Sequence, residues 1–169
     1  MSTVSSWISL LKPDLLLNES ILKLTPALLD QYQLKGLVLD VDDTVVSSKA
    51  TDVSSETLEW LIDIKRIAKI WLVSNNINRS RIERIATSLD LHYIHGAGKP
   101  SRRKLRKAVS AMGLPHEQVA MVGDRLFTDV VAGNRLGLFT ILVEPEDGGS
   151  LLRKFEIWIY QHLNKCLVR

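Results

Sequence analysis

The chain has 169 residues, 46% of them hydrophobic, with a formal net charge of +3 and a mean hydropathy of +0.06. These values fit one compact core and exclude an intrinsically disordered chain. A single cysteine, Cys166, excludes an internal disulfide and is typical of a reducing compartment. The sequence has no apolar stretch near the roughly 20 residues of a membrane span and no secretory signal pattern. We therefore expect a cytoplasmic protein, or one attached peripherally to a membrane.

Strand-like runs alternate with helix-like stretches along most of the chain, beginning with the apolar run at 36–39. Later strands are predicted at 70–73, 91–94, 119–122 and 139–143. Four helices are predicted between these strands. The first is capped by Ser54 or Ser55 and has Leu58, Leu61 and Ile62 at helical spacing, and the second contains Ile82, Ile85, Ala86 and Leu89. The third runs from Pro100 to Gly113 and buries Leu105, Ala108, Val109 and Met112, and the fourth is a short helix at about 129–134 closed by Gly137. This alternation predicts an α/β fold, a Rossmann-like doubly wound parallel sheet.

The domain organisation follows from the absence of long linkers, repeats and low-complexity tracts. We expect one domain over 1–169, with an N-terminal extension over about 1–33 and a C-terminal amphipathic helix over about 149–167. Nothing in the pattern specifies an oligomeric state.

Two carboxylates follow the first predicted strand, in the sequence Asp40-Val41-Asp42-Asp43-Thr44. Because side chains alternate along extended backbone, Asp40 and Asp42 point the same way and can share a hard cation or a reacting group. The alternative is a turn that caps a helix. Asp43 points away from the pair and is expected to satisfy backbone donors.

Further polar residues come just after the later strands, so they should meet at the same edge of the sheet. They are Ser74 in a Ser-Asn-Asn sequence, Lys99 before Pro100, and Asp124 and Asp129 within 123–129. Each alone is more often a cap, turn or surface residue, but their joint placement favours one site. The four histidines have no metal-ligand spacing.

This ordered set resembles the four motifs of the haloacid dehalogenase (HAD) superfamily, in its phosphatase branch. The resemblance implies that Asp40 is a nucleophile that forms an aspartyl-phosphate, and that Asp42 is the general acid and then the general base. It implies Mg²⁺ held by Asp40, Asp124 and the backbone carbonyl of Asp42, with Asp129 orienting or coordinating beside them.

The remaining roles concern the phosphate group. Ser74 would donate to a phosphoryl oxygen, and Lys99 would offset the charge of Asp40 and of the transferring group. Thr44 would support the turn after the nucleophile, and Asn75, Arg102 and Arg103 are candidate substrate-binding residues. A receiver domain, which also uses Asp, Ser or Thr, and Lys, is disfavoured because its phosphoacceptor follows a later strand.

The spacing of the motifs predicts a HAD-like fold without a cap domain. The 31 residues between Asp42 and Ser74, and the 24 between Ser74 and Lys99, each leave room for one helix and one strand. An open site of this kind suits a phosphate carried on a large object.

The segments at 11–14, 123–129 and 133–137 resemble the YqeG-like subfamily IIIA, which includes phosphatidylglycerophosphate phosphatases. The resemblance implies phosphatidylglycerophosphate as the substrate and an anionic phospholipid surface as the partner, with nucleic acid disfavoured. Asp43 and Val45 depart from the Asn and Leu common after the second Asp, and Gly98 stands where a basic residue is common.

Two features fit work at an anionic bilayer, and each has another interpretation. The basic residues of 99–107 can bind acidic lipid or form a solvated helix face. The C-terminal helix presents Leu151, Leu152, Phe155, Trp158, Ile159, His162, Leu163 and Cys166 on one face, which suits core packing or a membrane interface. Trp7, Ile8, Leu10 and Leu11 permit the same two interpretations.

Two other functions remain compatible with the sequence. The same site could act on a protein or nucleic-acid-end phosphate, favoured by the open geometry and the basic run. The fold could also serve as a non-catalytic module that binds an anionic partner, although that reading predicts loss of a motif residue and all are present.

Overall fold

The structure is a computed structural model that describes residues 7–145 and 151–167. Its sheet has six parallel strands in the order β1-β6-β5-β2-β3-β4. The strands are β1 Leu15–Leu16, β2 Gly36–Leu39, β3 Lys69–Val73, β4 His92–Ile94, β5 Val119–Gly123 and β6 Phe139–Leu142. The helices are α1 Pro26–Gln31, α2 Ser55–Lys65, α3 Arg79–Leu89, α4 Arg103–Met112, α5 Val131–Leu136 and α6 Leu151–Leu167, with 3₁₀ turns at Ile21–Lys23 and His116–Gln118 and a π-helical turn at Leu126–Val130.

The predicted α/β architecture is confirmed. Helices cover both faces of the sheet, so the central strands are buried throughout, as a parallel sheet requires. One face packs on α2 and α3 and the other on α4 and α5. The two intervals that could have held a cap, 43–73 and 75–98, are described in full and each contains one helix and one strand.

The predicted helix starts are partly correct. Ser54 caps α2, its hydroxyl accepting from the Thr57 N–H. The third predicted helix, however, begins at Arg103 and not at Pro100. Pro100 lies in a turn in which the Ser101 N–H donates to the Gly98 carbonyl, so the helix starts only after this turn.

The predicted apolar face of α2 is correct at Leu61, which is buried, but wrong at its two other positions. Leu58 and Ile62 are 39% and 56% exposed, whereas Trp60 and Ile64 are buried. The reason is a tertiary contact: the Trp60 indole N–H donates to the Leu24 carbonyl at 2.8 Å, which turns this side of the helix toward the N-terminal segment.

The N-terminal segment is part of the core. It adds β1 to the edge of the sheet beside β6, a strand of two residues that the sequence pattern did not indicate. Ile21, Leu24 and Leu29 are fully buried. Asp14 accepts from both the backbone N–H and the hydroxyl of Thr140, which fixes the segment to β6.

Helix α6 packs through two buried charged residues and through the partly buried Ile157 and Tyr160, and it exposes other apolar side chains. Leu151, Phe155 and Trp158 are 85%, 55% and 53% exposed, whereas Arg153 and Glu156 are buried. The core-packing interpretation of this face is therefore wrong for these three residues. The side chains of Leu152, Leu163 and Cys166, and the predicted helix start near 149, lie outside the described residues. None of the described helices has the length and apolar character to span a bilayer.

Candidate active site

A small cavity opens at the carboxyl ends of β2, β3 and β5, where the sequence predicted the site. Its volume is about 150 Å³, roughly that of five water molecules. It is lined by Asp40, Asp42, Asp43, Ser74, Asn75, Asn76, Lys99, Asp124, Arg125, Thr128 and Asp129. All but two of these positions follow directly from strand ends or from the turn that carries Lys99, because parallel strands end at one edge.

Lys99 lies between two carboxylates. Its Nζ is 2.6 Å from Asp40 Oδ1 and 2.7 Å from Asp129 Oδ1, and its side chain is 1% exposed. Burial disfavours the ammonium, but the charges of Asp129 and Asp40 outweigh that effect and raise the pKa of Lys99. The lysine therefore stays charged, and it places a fixed positive charge beside the candidate nucleophile.

Three acidic side chains crowd the same space. One carboxylate oxygen from each of Asp40, Asp124 and Asp129 lies within 4.8 Å of the others, and all three residues are buried. Burial raises the pKa of Asp40 to about 7, against the lowering effect of Lys99. Burial and the charges of Asp129 and Asp40 raise the pKa of Asp124 to about 8. The single ammonium of Lys99 therefore compensates only part of the negative charge of these three carboxylates.

The donor set fits a hard divalent cation. Buried carboxylate oxygens at this spacing are the ligands that Mg²⁺ prefers, and an added positive charge would offset both the burial and the mutual repulsion that raise the two pKa values. Asp40, Asp124 and Asp129 are the side chains able to hold it.

Asp42 lines the cavity but its carboxylate lies outside this acidic cluster. Oδ2 accepts from Asn76 Nδ2 at 3.1 Å and from Ser74 Oγ at 3.4 Å, and Oδ1 is paired with Arg81. A role for Asp42 in holding a metal would therefore fall to its backbone carbonyl, as the resemblance implied.

Asn75 is occupied by the backbone of Lys99. Its Oδ1 accepts from the Lys99 N–H at 2.7 Å, and its Nδ2 donates to the Lys99 carbonyl at 3.0 Å. This pair of bonds fixes the turn that delivers the lysine. Asn75 is thus placed to orient Lys99 rather than to reach a substrate.

Three other predicted residues do not line the cavity. Thr44 is 4% exposed, and its hydroxyl has no hydrogen-bond partner among the described residues. Arg102 is exposed and donates to the Arg135 carbonyl, and Arg103 is exposed at the start of α4. Asp43 does satisfy a backbone donor, the Ser48 N–H, as predicted, although it also reaches the cavity wall.

Helix α6 is hydrogen-bonded to the loop that carries Asp124 and Asp129. The sequence did not indicate this contact. Glu156 accepts from the Arg125 guanidinium at 2.5 and 2.9 Å and from the Leu126 N–H at 3.0 Å. Arg153 donates to the carbonyls of Asp124 and Val143. The only signal for these contacts was the presence of Arg153 and Glu156, three residues apart, in a helix rich in apolar residues.

Comparison with known proteins places these residues in a family. The HAD-hydrolase-like family model matches residues 96–150. Probable phosphatase YqeG of Bacillus subtilis (strain 168) is 35% identical over 128 residues, 75% of this chain and 74% of that protein. Phosphatidylglycerophosphate phosphatase 1, chloroplastic, of Chlamydomonas reinhardtii is 28% identical over 120 residues, 66% of this chain and 45% of that protein.

Solved structures agree on the fold. The crystal structure of hypothetical protein XCC2798 from Xanthomonas campestris matches with a TM-score of 0.54 and 14% identity, over 89% of this chain and 96% of that one. The identity and extent of the match to the Bacillus subtilis protein show that the chain belongs to the HAD-like hydrolase family, as a relative of the phosphatase YqeG.

Proposed function

We propose that this HAD-family phosphatase hydrolyses a phosphomonoester through an aspartyl-phosphate on Asp40, with Mg²⁺ as its cofactor and phosphatidylglycerophosphate as its substrate. One observation carries the proposed chemistry: Lys99 is held between Asp40 and Asp129 in a buried cavity that Asp124 shares. The product would be phosphatidylglycerol and inorganic phosphate.

In the first step, a carboxylate oxygen of Asp40 attacks phosphorus and the bond to the leaving oxygen breaks. Asp42 gives that oxygen its proton. In the second step, Asp42 takes a proton from water as the water oxygen attacks phosphorus and the bond to Asp40 breaks. Ser74 and Lys99 line the cavity, and the Ser74 hydroxyl and the Lys99 ammonium would donate to the phosphoryl oxygens.

A bound Mg²⁺, held by Asp40, Asp124 and Asp129, would supply electrostatic stabilisation of the phosphoryl oxygens. Nucleophilic attack by a carboxylate on an anionic phosphate requires such neutralisation, because Lys99 alone opposes three acidic side chains.

The size of the cavity supports a substrate that remains mostly outside it. A volume of about 150 Å³ is well below the roughly 300–1,000 Å³ of pockets that enclose whole ligands. It has room for a phosphate group, and neither interval between the motifs adds a cap to enclose the rest of a substrate. A phosphate at a lipid surface meets this condition.

The surface around the site supports a peripheral membrane location. Ile77, one residue beyond the cavity wall, is 87% exposed, and α6 exposes Leu151, Phe155 and Trp158. On α4, Arg103, Arg106 and Lys107 are exposed, whereas Lys104 donates to the carbonyls of His95 and Gly96. Exposed apolar and aromatic side chains are typical of surfaces that enter the membrane interface, and exposed cations are typical of surfaces that bind anionic lipid. The similarity to the Chlamydomonas phosphatase points to the same class of substrate.

The test is phosphate release by the purified protein with Mg²⁺ from phosphatidylglycerophosphate in mixed micelles, an aryl phosphate, phosphopeptides and 5′-phosphorylated oligonucleotides, with Asp40→Asn as the control. Preference for the lipid, lost in the variant, would support the proposal. Preference for a phosphopeptide or an oligonucleotide would keep the chemistry and replace the substrate. No turnover of any compound would contradict both.

A further inference from the structure

The two oxygens of Asp42 have different partners. Oδ1 accepts from Arg81 Nε at 3.2 Å and from Arg81 Nη2 at 3.1 Å. Oδ2 accepts from Ser74 and Asn76, both of which line the catalytic cavity. One oxygen is therefore anchored in the protein, while the other belongs to the cavity wall.

Arg81 is itself fixed without help from a substrate. It lies in the first turn of α3, where Asn78 caps the helix and accepts from the Arg81 backbone N–H at 3.1 Å. Its guanidinium also donates to the carbonyls of Ala50 at 2.6 Å and Ser47 at 3.2 Å, and its side chain is 14% exposed. A planar guanidinium with acceptors on several sides has one orientation, which a lysine ammonium could not reproduce.

We propose that Arg81 is a positioning residue for the hydrolytic reaction: it anchors Asp42 through Oδ1 and so presents Oδ2 as the atom that exchanges protons with the leaving oxygen and with water. This inference rests on the proposed function, because proton transfer by Asp42 is part of that proposal. In the first step the proton passes from Oδ2 to the leaving oxygen as its bond to phosphorus breaks. In the second it passes from water to Oδ2 as the Asp40 bond to phosphorus breaks.

The proposed role predicts a dependence on the leaving group. An alkoxide is a poor leaving group and needs the proton from Asp42, whereas 4-nitrophenolate departs with little assistance. Arg81→Ala should therefore lower kcat/KM for an alkyl phosphomonoester on the order of 10²-fold and change kcat/KM for 4-nitrophenyl phosphate only a few-fold. This parameter covers the steps up to departure of the leaving group, whereas hydrolysis of the aspartyl-phosphate is common to both substrates. Arg81→Lys should recover part of the alkyl rate, since it restores a charge without the planar geometry.

Arg84→Ala is the matched control. Arg84 lies on the same helix and donates to the Thr51 carbonyl at 3.1 Å, so it contacts the same loop, and none of its hydrogen bonds among the described residues is to Asp42. Its removal should leave the ratio of alkyl to aryl rates unchanged. In the Asp42→Asn background, Arg81→Ala should cause no further change in that ratio, because the group it positions is already inactive.

The decisive measurement is the alkyl-to-aryl ratio of kcat/KM, with phosphatidylglycerophosphate in mixed micelles as the alkyl substrate and 4-nitrophenyl phosphate as the aryl substrate. The ratio is compared for the wild type, Arg81→Ala, Arg81→Lys and Arg84→Ala, with thermal melts to establish that each variant is folded. A selective fall in the ratio for Arg81→Ala supports the inference. An equal loss on both substrates, or a ratio matching that of Arg84→Ala, would overturn it while leaving the proposed function intact. A wild type inactive on both phosphates would overturn the proposed function and this inference together.

Discussion

The central residue-scale feature is one ammonium among three buried carboxylates. Between about pH 4 and pH 8 the folded protein without metal binds more protons than the unfolded chain, because the pKa of Asp40 is raised from 3.8 to about 7 and that of Asp124 from 3.8 to about 8. Its stability therefore falls as the pH rises through this window. A cation that binds these carboxylates competes with their protons, so it should bind more tightly at the upper end.

We therefore predict that the rise in Tm caused by Mg²⁺ is larger at pH 8.5 than at pH 6. Thermal melts with and without the cation at the two pH values provide the measurement. Asp124→Asn should abolish most of the Mg²⁺ effect and should gain stability relative to the wild type as the pH rises, since the variant lacks the carboxyl group whose pKa is about 8. A Mg²⁺ shift of the same size in the variant would contradict this assignment.

Position 123 must be a glycine because the Asp129 side chain packs directly against it. A Cβ at position 123 would overlap the Asp129 carboxylate, which is the group that pairs with Lys99 and accepts from the Arg125 N–H. Gly123→Ala should displace that carboxylate and lower kcat by about 10²-fold, the effect of losing one preorganised group.

Gly36→Ala is the control for overpacking alone, because a Cβ there would press on Leu114 and Met112, at the opposite end of β2 from the site. Each variant should lose about 1–3 kcal/mol of stability, but only Gly123→Ala should lose activity when both are assayed below their melting temperatures. Equal activity in the two variants would show that Asp129 tolerates displacement.

The positions of polar residues after successive strands predicted which residues form the site, but they did not predict the residues that hold those side chains in place. Asp40, Ser74, Lys99 and Asp124 could be grouped because each follows the end of a parallel strand or the turn beside it, and such ends converge. Arg81 could not be found this way, because its link to Asp42 crosses 39 positions and depends on how α3 packs. The same limit applies to the contact of Asn75 with the Lys99 backbone.

Among the secondary-structure elements, α6 is the helix that connects an exposed apolar face to the loop carrying Asp124 and Asp129, called here the catalytic loop. Its buried Glu156 bonds to Arg125 and Leu126, which lie between Asp124 and Asp129. Glu156→Gln should cost about 1.5–3 kcal/mol, the range for hydrogen bonds to charged groups, and should lower kcat by loosening the loop. Urea unfolding and phosphatase assays measure the two effects.

Glu83→Gln is a suitable comparison for Glu156→Gln. Glu83 pairs with Arg79 four residues away on the exposed face of α3, and such pairs contribute only about 0.3–0.5 kcal/mol. If the two variants unfold at the same urea concentration, the buried contact of α6 with the loop does not stabilise the protein as the geometry indicates.

We predict that the exposed face of α6 contributes to binding of anionic phospholipid. Phe155 and Trp158 are stacked and more than half exposed. The double variant Phe155→Ala/Trp158→Ala should lose several-fold in binding to vesicles of anionic phospholipid, with the rate on soluble 4-nitrophenyl phosphate unchanged because neither side chain lines the cavity. Co-sedimentation with vesicles measures the binding. Undiminished binding would contradict a membrane role for this face.

Strands and helices were predictable where a long enough pattern existed. The five later strands and the Ser54 cap follow from apolar runs and capping chemistry. The edge strand β1 was missed because two residues carry no periodicity, and its position depends on pairing with β6. The apolar face of α2 was misjudged at Leu58 and Ile62 because Trp60 packs on the N-terminal segment. For α6 the core-packing interpretation failed because the buried Glu156 contacts the loop after β5, a contact set by tertiary structure.

At the scale of the whole molecule, the fold joins a very small catalytic cavity to a broad accessible surface. The six strands end on one side, which concentrates the acidic residues there, and the intervals between the motifs supply only one helix and one strand each. The phosphate group can therefore be enclosed while the rest of the substrate remains outside. Substrate choice should depend more on the surrounding surface than on the cavity.

Trapping the covalent intermediate on Asp40 would test the proposed mechanism at the step on which it depends. The protein would be mixed with substrate and Mg²⁺, quenched in acid during turnover, reduced with borohydride and digested, and the peptide containing position 40 examined by mass spectrometry. An aspartyl-phosphate should be reduced to homoserine at position 40, and the signal should be absent without substrate and in Asp40→Asn. Turnover with unmodified aspartate at position 40 under every quench time, or retained activity in Asp40→Asn, would contradict the mechanism.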